Sequence, residues 1–304
     1  MYPSRLFLVF FLASSRAISS AGPVDSVTQA EVAAANALLA AHKPVEAQAA
    51  FEKILVHAPD NADANCSLAL IACDSGDDGA WGKALRCADK AVTSDPNNAR
   101  YQYVWGAANG LSALKAGLFS KLGHARKCLA AYERAAELEP RTIQYRWALL
   151  NWYQQAPGFV GGDRAKAYGQ ATALKEIDPE QGRQAFTQLY VGEKKYDQAF
   201  RLYDEALHES PNNYATLYNF GWLTLQTVQR LDEGEAAFRR CLELTPPEGN
   251  DMPSHANVHW RLGNVCEKKK QPEQARAEYR AALNAAPDFW PAQQALEKLN
   301  SRKS

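Results

Sequence analysis

Small and apolar residues return every three or four positions through most of this chain, in blocks separated by short polar turns. The clearest instance is residues 256–288, ANVHWRLGNVCEKKKQPEQARAEYRAALNAAPD. Leu262 and Gly263 fall in its first block, Ala275, Tyr279 and Ala282 in its second, and Pro287 closes it. A polar stretch, residues 268–273, lies between. Helical spacing on both sides of such a stretch predicts two helices folded into a hairpin. No segment shows the strict alternation of a half-buried strand, so the expected fold class is all-α.

The same grammar recurs. Pro59, Pro96, Pro140, Pro179, Pro211, Pro246 and Pro287 follow one another at intervals of 32 to 44 residues. Proline cannot continue a helix, so it suits the end of each hairpin. Counting back from these prolines gives seven hairpins, at 28–61, 62–98, 99–142, 143–181, 181–213, 214–247 and 256–288. A last amphipathic piece, 289–300, would cover the final apolar face. Spaced alanines let neighbouring helices approach, and Tyr, Phe and Trp fill between them. The third hairpin carries extra residues of helix-forming composition in 110–127, so both of its helices are expected to lengthen. The fourth contains Ala156-Pro157-Gly158-Phe159-Val160-Gly161-Gly162-Asp163, with Asp163 placed to cap the helix that follows.

The pattern Leu262-Gly263, Ala275, Tyr279, Ala282 and Pro287, at a period near 34 residues, resembles the tetratricopeptide (TPR) repeat. His259 stands where that pattern often has Trp, and Cys266 where it often has Tyr. The resemblance covers residues 28–288. It implies a right-handed superhelix of about seven hairpins plus a C-terminal capping helix, with the first helix of each hairpin lining a concave face. Residues 101–177 add Tyr101, Tyr103, Trp105 and Gly106, then the Pro-Gly-x-x-Gly-Gly-Asp insertion. That segment resembles exported bacterial TPR proteins, which are presumed interaction scaffolds. The insertion is also similar to TPR subunits that partner periplasmic solute receptors. A phosphate cradle at Gly158–Asp163 lacks a lysine and a preceding strand, so a hairpin connection is the reading taken.

The first 21 residues read as a secretory signal: Arg5, an apolar run at 6–13, and Ser19-Ser20-Ala21 before Gly22. The run is shorter than the roughly 20 residues a membrane span needs. The expected organisation is therefore a signal at 1–21, a linker at 22–27 and one repeat domain at 28–304, with 99–181 extended. The destination is export, to the periplasm, with no membrane span after cleavage. Formal net charge is zero, which gives no reason to expect nucleic acid as a partner. Six cysteines raise the question of disulfides. Cys66 and Cys73 share one helix about 10 Å apart, too far to bridge. Cys241 and Cys266 lie on successive hairpins and can meet; otherwise each cysteine is a small buried apolar residue.

On the repeat register, Tyr103, Trp147, Tyr218 and Trp260 take inward positions of first helices. Asn151, Trp222 and Asn264 follow Trp147, Tyr218 and Trp260 by one turn, on the same face. Rings beside amides suit an extended peptide, the rings giving contact area and the amides holding its backbone. Core filling between repeats is the competing reading of the same rings. The best-known TPR site for a terminal carboxylate pairs Asn with Lys, and the lysines are missing here. Arg100, Arg146 and Arg261 are left either to bind acidic groups or to sit in solvent. No catalytic motif, no metal-ligand cluster and no cofactor fingerprint is found. The expectation is a non-enzymatic scaffold for a protein or peptide partner. The alternatives are a partner subunit of a periplasmic solute receptor that binds a small ligand, and an envelope assembly factor.

Overall fold

A computed structural model describes residues 23–75, 79–247 and 252–301. The signal expected at 1–21 lies outside them. Every described element is helical. The helices are α1 (Pro23–Ala40), α2 (Pro44–His57), α3 (Ala62–Asp74), α4 (Ala80–Ser94), α5 (Ala99–Lys115), α6 (Leu118–Leu138), α7 (Ile143–Gln155) and α8 (Arg164–Ile177). There follow α9 (Pro179–Gly192), α10 (Tyr196–Glu209), α11 (Tyr214–Thr227), α12 (Leu231–Glu243), α13 (His255–Lys268), α14 (Pro272–Ala285) and α15 (Trp290–Ser301). α1 with α2, α3 with α4 and α5 with α6 pair as hairpins in the first part of the chain, and α9 with α10, α11 with α12 and α13 with α14 in the second, where α15 packs on α14. The chain divides into two compact units, one through Gln170 and one from Ala171, so the division falls within α8.

Three hairpins close where the sequence removes a side chain from one helix and sets a ring on the other. A Cβ added at Gly106 would lie 2.7 Å from the Tyr132 ring, one at Gly221 2.6 Å from the Phe238 ring, and one at Gly263 2.3 Å from the Tyr279 ring. First and second helices are thus in backbone-to-ring contact, closer than any side chain permits. Ala47, Ala84, Ala88, Ala135, Ala199 and Ala275, all on second helices, are fully buried and extend the same close packing.

The junctions between hairpins are also built by rule. Asn61, Asn98 and Asn213, each two residues after a closing proline, accept a hydrogen bond from the amides of Ala64, Tyr101 and Thr216 at 2.8–3.1 Å. They are N-caps, satisfying donors that the helix itself leaves unpaired. Six residues after the proline, a side chain turns back to its carbonyl: Asn65 to Pro59 (3.1 Å), Gln102 to Pro96 (2.8 Å), Arg146 to Pro140 (2.9 Å) and Gln293 to Pro287 (2.9 Å). Pro179 departs from this pattern. It occupies the first position of α9 behind the Asp178 cap, where a missing N–H does no harm. The fifth hairpin therefore begins at 179, not at 181.

The third hairpin lengthens as its composition predicts, α5 to 17 residues and α6 to 21. In the fourth, the insertion is a connector. Gly158–Val160 form one 3-10 turn, Gly161 follows at φ 94°, and Gly162 passes so close to the Ala156 carbonyl that a Cβ has no room. Trp152 Nε1 donates to the Val160 carbonyl at 3.3 Å, and Asp163 accepts from the Lys166 amide at 3.1 Å. Both glycines and the aspartate are explained by the path of the chain. At the other end, Arg276, 6% exposed, donates to Glu273 at 2.7 Å and Asn300 at 3.0 Å, tying α14 to α15.

All six cysteines are thiols. Cys241 sits in a core with Phe238, Leu262 and Val265, and Cys266 in another with Tyr279 and Leu299. Burial pushes the Cys66 thiol up to about 11 and those of Cys128 and Cys241 up to about 12. They are protonated at neutral pH and poor nucleophiles. Titration with a thiol reagent should give a slow reaction in the native protein and six thiols after denaturation without reductant. Four thiols would mean a bridge has formed.

Two glycine substitutions test the packing rule. Gly263→Ala should destabilise by about 1–3 kcal/mol, because the ring beside it must shift. Gly123→Ala, exposed on α6 with nothing within 4 Å of the added Cβ, should stabilise by about 0.5–1 kcal/mol. Urea unfolding followed by far-UV circular dichroism distinguishes them, and equal effects of the same sign would refute the rule.

Candidate functional site

In the second unit, α11 and α13 bring together residues that lie a full repeat apart in sequence. Tyr218 and Trp222 are one turn apart on α11, and Trp260 and Arg261 are adjacent on α13. The Arg261 guanidinium carbon lies 3.8 Å from the centre of the Trp222 ring and 4.0 Å from that of Trp260. Its Nε donates to the Tyr218 hydroxyl at 3.3 Å. The guanidinium is thus held between two indoles, each such contact worth about 0.5–2 kcal/mol. Among the described residues its partners are two indoles and one phenol, none of them anionic. All four side chains are half-buried. Tyr218 and Trp260 are steadied from behind by edge-on contacts with Phe238 at 5.5 Å and Phe289 at 5.9 Å.

Asn264, one turn beyond Trp260, is engaged with the fold. The Tyr279 hydroxyl lies 2.9 Å from its amide and 2.6 Å from a Glu267 carboxylate oxygen. The hydroxyl is the donor in both contacts, its proton shared between the Asn264 amide oxygen and the carboxylate. Across α9 and α11, Glu180 accepts from Asn219 (2.7 Å), Arg183 (2.6 Å) and Thr216 (3.3 Å), so its charge is compensated.

A further charged chain joins α12, α13 and α14. Lys269 contacts Asp232 (2.5 Å) and Glu235 (2.8 Å), Arg239 contacts Glu235 (2.8 Å) and Glu278 (3.5 Å), and His259 Nδ1 contacts Glu278 (2.8 Å). Lys269 first, then Arg239, holds the Glu235 carboxyl below the usual range. His255, which shares helical spacing with His259, turns instead to the Leu244 carbonyl at 2.9 Å.

In the first unit, Tyr103 is 4% exposed. It packs between Tyr132 at 5.6 Å and Tyr145 at 5.2 Å, and burial raises its hydroxyl well above the usual phenol range. Of the two readings of the rings, Tyr103 takes the core one: Tyr145 of the next hairpin covers it. Trp147 and Asn151 stay half-buried on α7, one turn apart. Arg100 pairs with Asp63 at 3.7 Å and donates to Ser67 at 2.8 Å. Arg146 spends its N–H groups on the Pro140 carbonyl (2.9 Å) and on Gln170 (3.1 Å).

The sequence pattern picked out Tyr218, Trp222 and Trp260 but left Arg261 as one of three arginines that either bind acidic groups or sit in solvent. It missed the Glu180 cluster altogether. The available signal was the Trp-Arg pair at 260–261, one repeat after Tyr218.

Comparison with known proteins agrees with this architecture. Tetratricopeptide-repeat family models match residues 32–99 and 256–289. No curated protein matches the sequence. Solved structures of similar fold include a tetratricopeptide repeat protein from Parabacteroides merdae, at TM-score 0.55 and 13% identity, covering 90% of this chain and 99% of that one. Yeast Tom70 is similar at TM-score 0.61 and 16% identity over 91% of this chain and 54% of its own. A thermophilic TPR protein of Thermus thermophilus is similar at TM-score 0.51 and 20% identity, over 65% of this chain and 99% of that one. Identities this low carry the fold alone. The fold is the all-helical tetratricopeptide-repeat solenoid, an architecture of protein-interaction scaffolds.

Tyr103→Ala should cost about 3–5 kcal/mol, as for other large buried rings. Chemical unfolding of the purified variant measures it, and a loss under about 1 kcal/mol would place the ring at the surface instead.

Proposed function

We propose that this chain is an exported, periplasmic scaffold that takes a protein partner on the face formed by its first helices and performs no catalysis. The observation that carries the reading is the half-buried group of Tyr218, Trp222, Trp260 and Arg261. Tyr, Trp and Arg are the residue types that dominate binding energy at protein interfaces. Rings already fixed by Phe238 and Phe289 lose little freedom when a partner arrives. Trp147 and Asn151 on α7 offer a second half-buried pair of the same kind.

Export rests on the charged, apolar and small-residue order of residues 1–21. No described helix is long and apolar enough to cross a membrane. The absence of catalysis rests on the lack of any nucleophile, base or metal-ligand motif in the sequence, and on thiols that burial keeps protonated. Two open, shallow depressions of the described surface, at Lys194, Lys195 and Arg201 and at Phe200, Asp204 and Arg230, carry charged side chains.

Affinity capture from the native envelope fraction tests the proposal, with wild type beside a Trp222→Ala, Trp260→Ala double variant of unchanged helical circular dichroism. Wild type should recover one identifiable protein, and the variant at least about tenfold less, as expected when hot-spot rings are removed. Equal recovery by both would sink the binding face.

A further inference from the structure

We infer that Trp222, Arg261 and Trp260 form a receptor for a side-chain carboxylate, so that the partner docks an acidic segment on this face; the inference rests on the scaffold reading above. The argument begins with charge. Several cations on the helix faces have anions beside them, and Arg146 spends its N–H groups on a carbonyl and an amide oxygen. Arg100 has Asp63, Arg183 has Glu180, Arg230 has Asp204 and Glu233, Lys269 has Asp232 and Glu235, and Arg276 has Glu273. Arg261 differs. Among the described residues it is half-buried against apolar rings and a neutral hydroxyl. A charge drawn partly out of water without a counterion is unfavourable, and an arriving anion relieves it.

Geometry narrows the anion. Both indoles lie against the guanidinium carbon, and Tyr218 takes Nε. What remains is the in-plane edge carrying Nη1 and Nη2, a fork that matches the two oxygens of a carboxylate. Stacking holds that fork in place before any ligand arrives, so less side-chain freedom is lost on binding. The neighbouring amides then decide between a side chain and a chain end. A terminal carboxylate needs further donors for the last residue's backbone. Asn219 gives its NH2 to Glu180, and Asn264 is held against the Tyr279 hydroxyl. The site therefore reads the carboxylate of Asp or Glu within a segment, with the indole edges flanking it.

The test uses the full chain and a fluorescein-labelled, C-terminally amidated hexaglutamate, followed by fluorescence anisotropy. Wild type should bind it and should bind amidated hexaglutamine at least about tenfold more weakly, as for loss of a charged hydrogen-bond partner. Arg261→Gln should reduce hexaglutamate affinity by about tenfold or more. Arg261→Lys, which keeps the charge and loses the planar fork, should bind more weakly than wild type and more tightly than the Gln variant. Hexaglutamate affinity unchanged in Arg261→Gln would overturn the inference. If that variant also unfolds at lower urea, the sandwich is only a tie between α11 and α13. Equal binding of hexaglutamate and hexaglutamine by wild type overturns it as well. Hexaalanine with a free C-terminus binding better than hexaglutamate would show a chain-end reader and overturn the choice of a side chain. Should Arg261→Gln fail to fold, the Lys variant and the Glu/Gln discrimination decide. Failure of these peptides while envelope capture still depends on Trp222 and Trp260 removes the acidic ligand and leaves the scaffold reading standing.

Discussion

The contact on which this structure depends is a glycine on one helix lying flat on an aromatic ring of the next. Gly106 on Tyr132, Gly221 on Phe238 and Gly263 on Tyr279 repeat it in three hairpins. Glycine weakens a helix interior by roughly 0.5–1 kcal/mol relative to alanine, so its use there requires a compensating gain. The gain is burial of a whole ring face against backbone. Dispersion contacts and apolar area removed from water are both largest when nothing intervenes. Once that distance is set, the alanines of the second helices fall into contact, and each hairpin presents an apolar edge to the one that follows.

The same contact places the candidate site. In all three hairpins an aromatic residue stands three positions before the glycine: Tyr103, Tyr218 and Trp260. Register gives each the same starting position beside the second helix. What the following element supplies then decides its role. Tyr103 meets Tyr145 and is enclosed, and Trp260 meets Phe289 and is half-covered. Tyr218 meets Arg261, a cation, and stays half in water. A single repeat position thus gives one core residue and two half-buried ones without any change in backbone plan.

This explains what was legible in the sequence. Hairpin boundaries, the longer third hairpin and the Asp163 cap are local matters, fixed by spacing, composition and residues within a few positions of one another. The Gly161-Gly162 pair was legible as a connection for the same reason, since φ 94° at Gly161 is a local demand. The return of Asn65, Gln102, Arg146 and Gln293 to proline carbonyls is also local, but three residue types share the task, so no single letter marks it. The fate of Tyr103 and the centring of the site on Arg261 depend on residues about one repeat away. Periodicity says which face a side chain takes, not which partner the next repeat sets opposite it.

Charge shows the same division between global and local. The chain carries 34 basic and 34 acidic side chains, a balance that suggests an electrically plain surface. Position overrides that total. Glu180 is met by Arg183 and Asn219, and Glu235 by Lys269 and Arg239, so these groups are neutralised where they stand. Stacking between Trp222 and Trp260 keeps Arg261 in a place where rings, not carboxylates, are its neighbours. Aromatic rings attract a cation through their faces without cancelling its charge. A cation held this way is fixed in position yet still able to attract an anion, whereas an arginine closed into a salt bridge would be fixed and spent. The two tryptophans thus define the electrostatics of this face more than any ionisable residue on it.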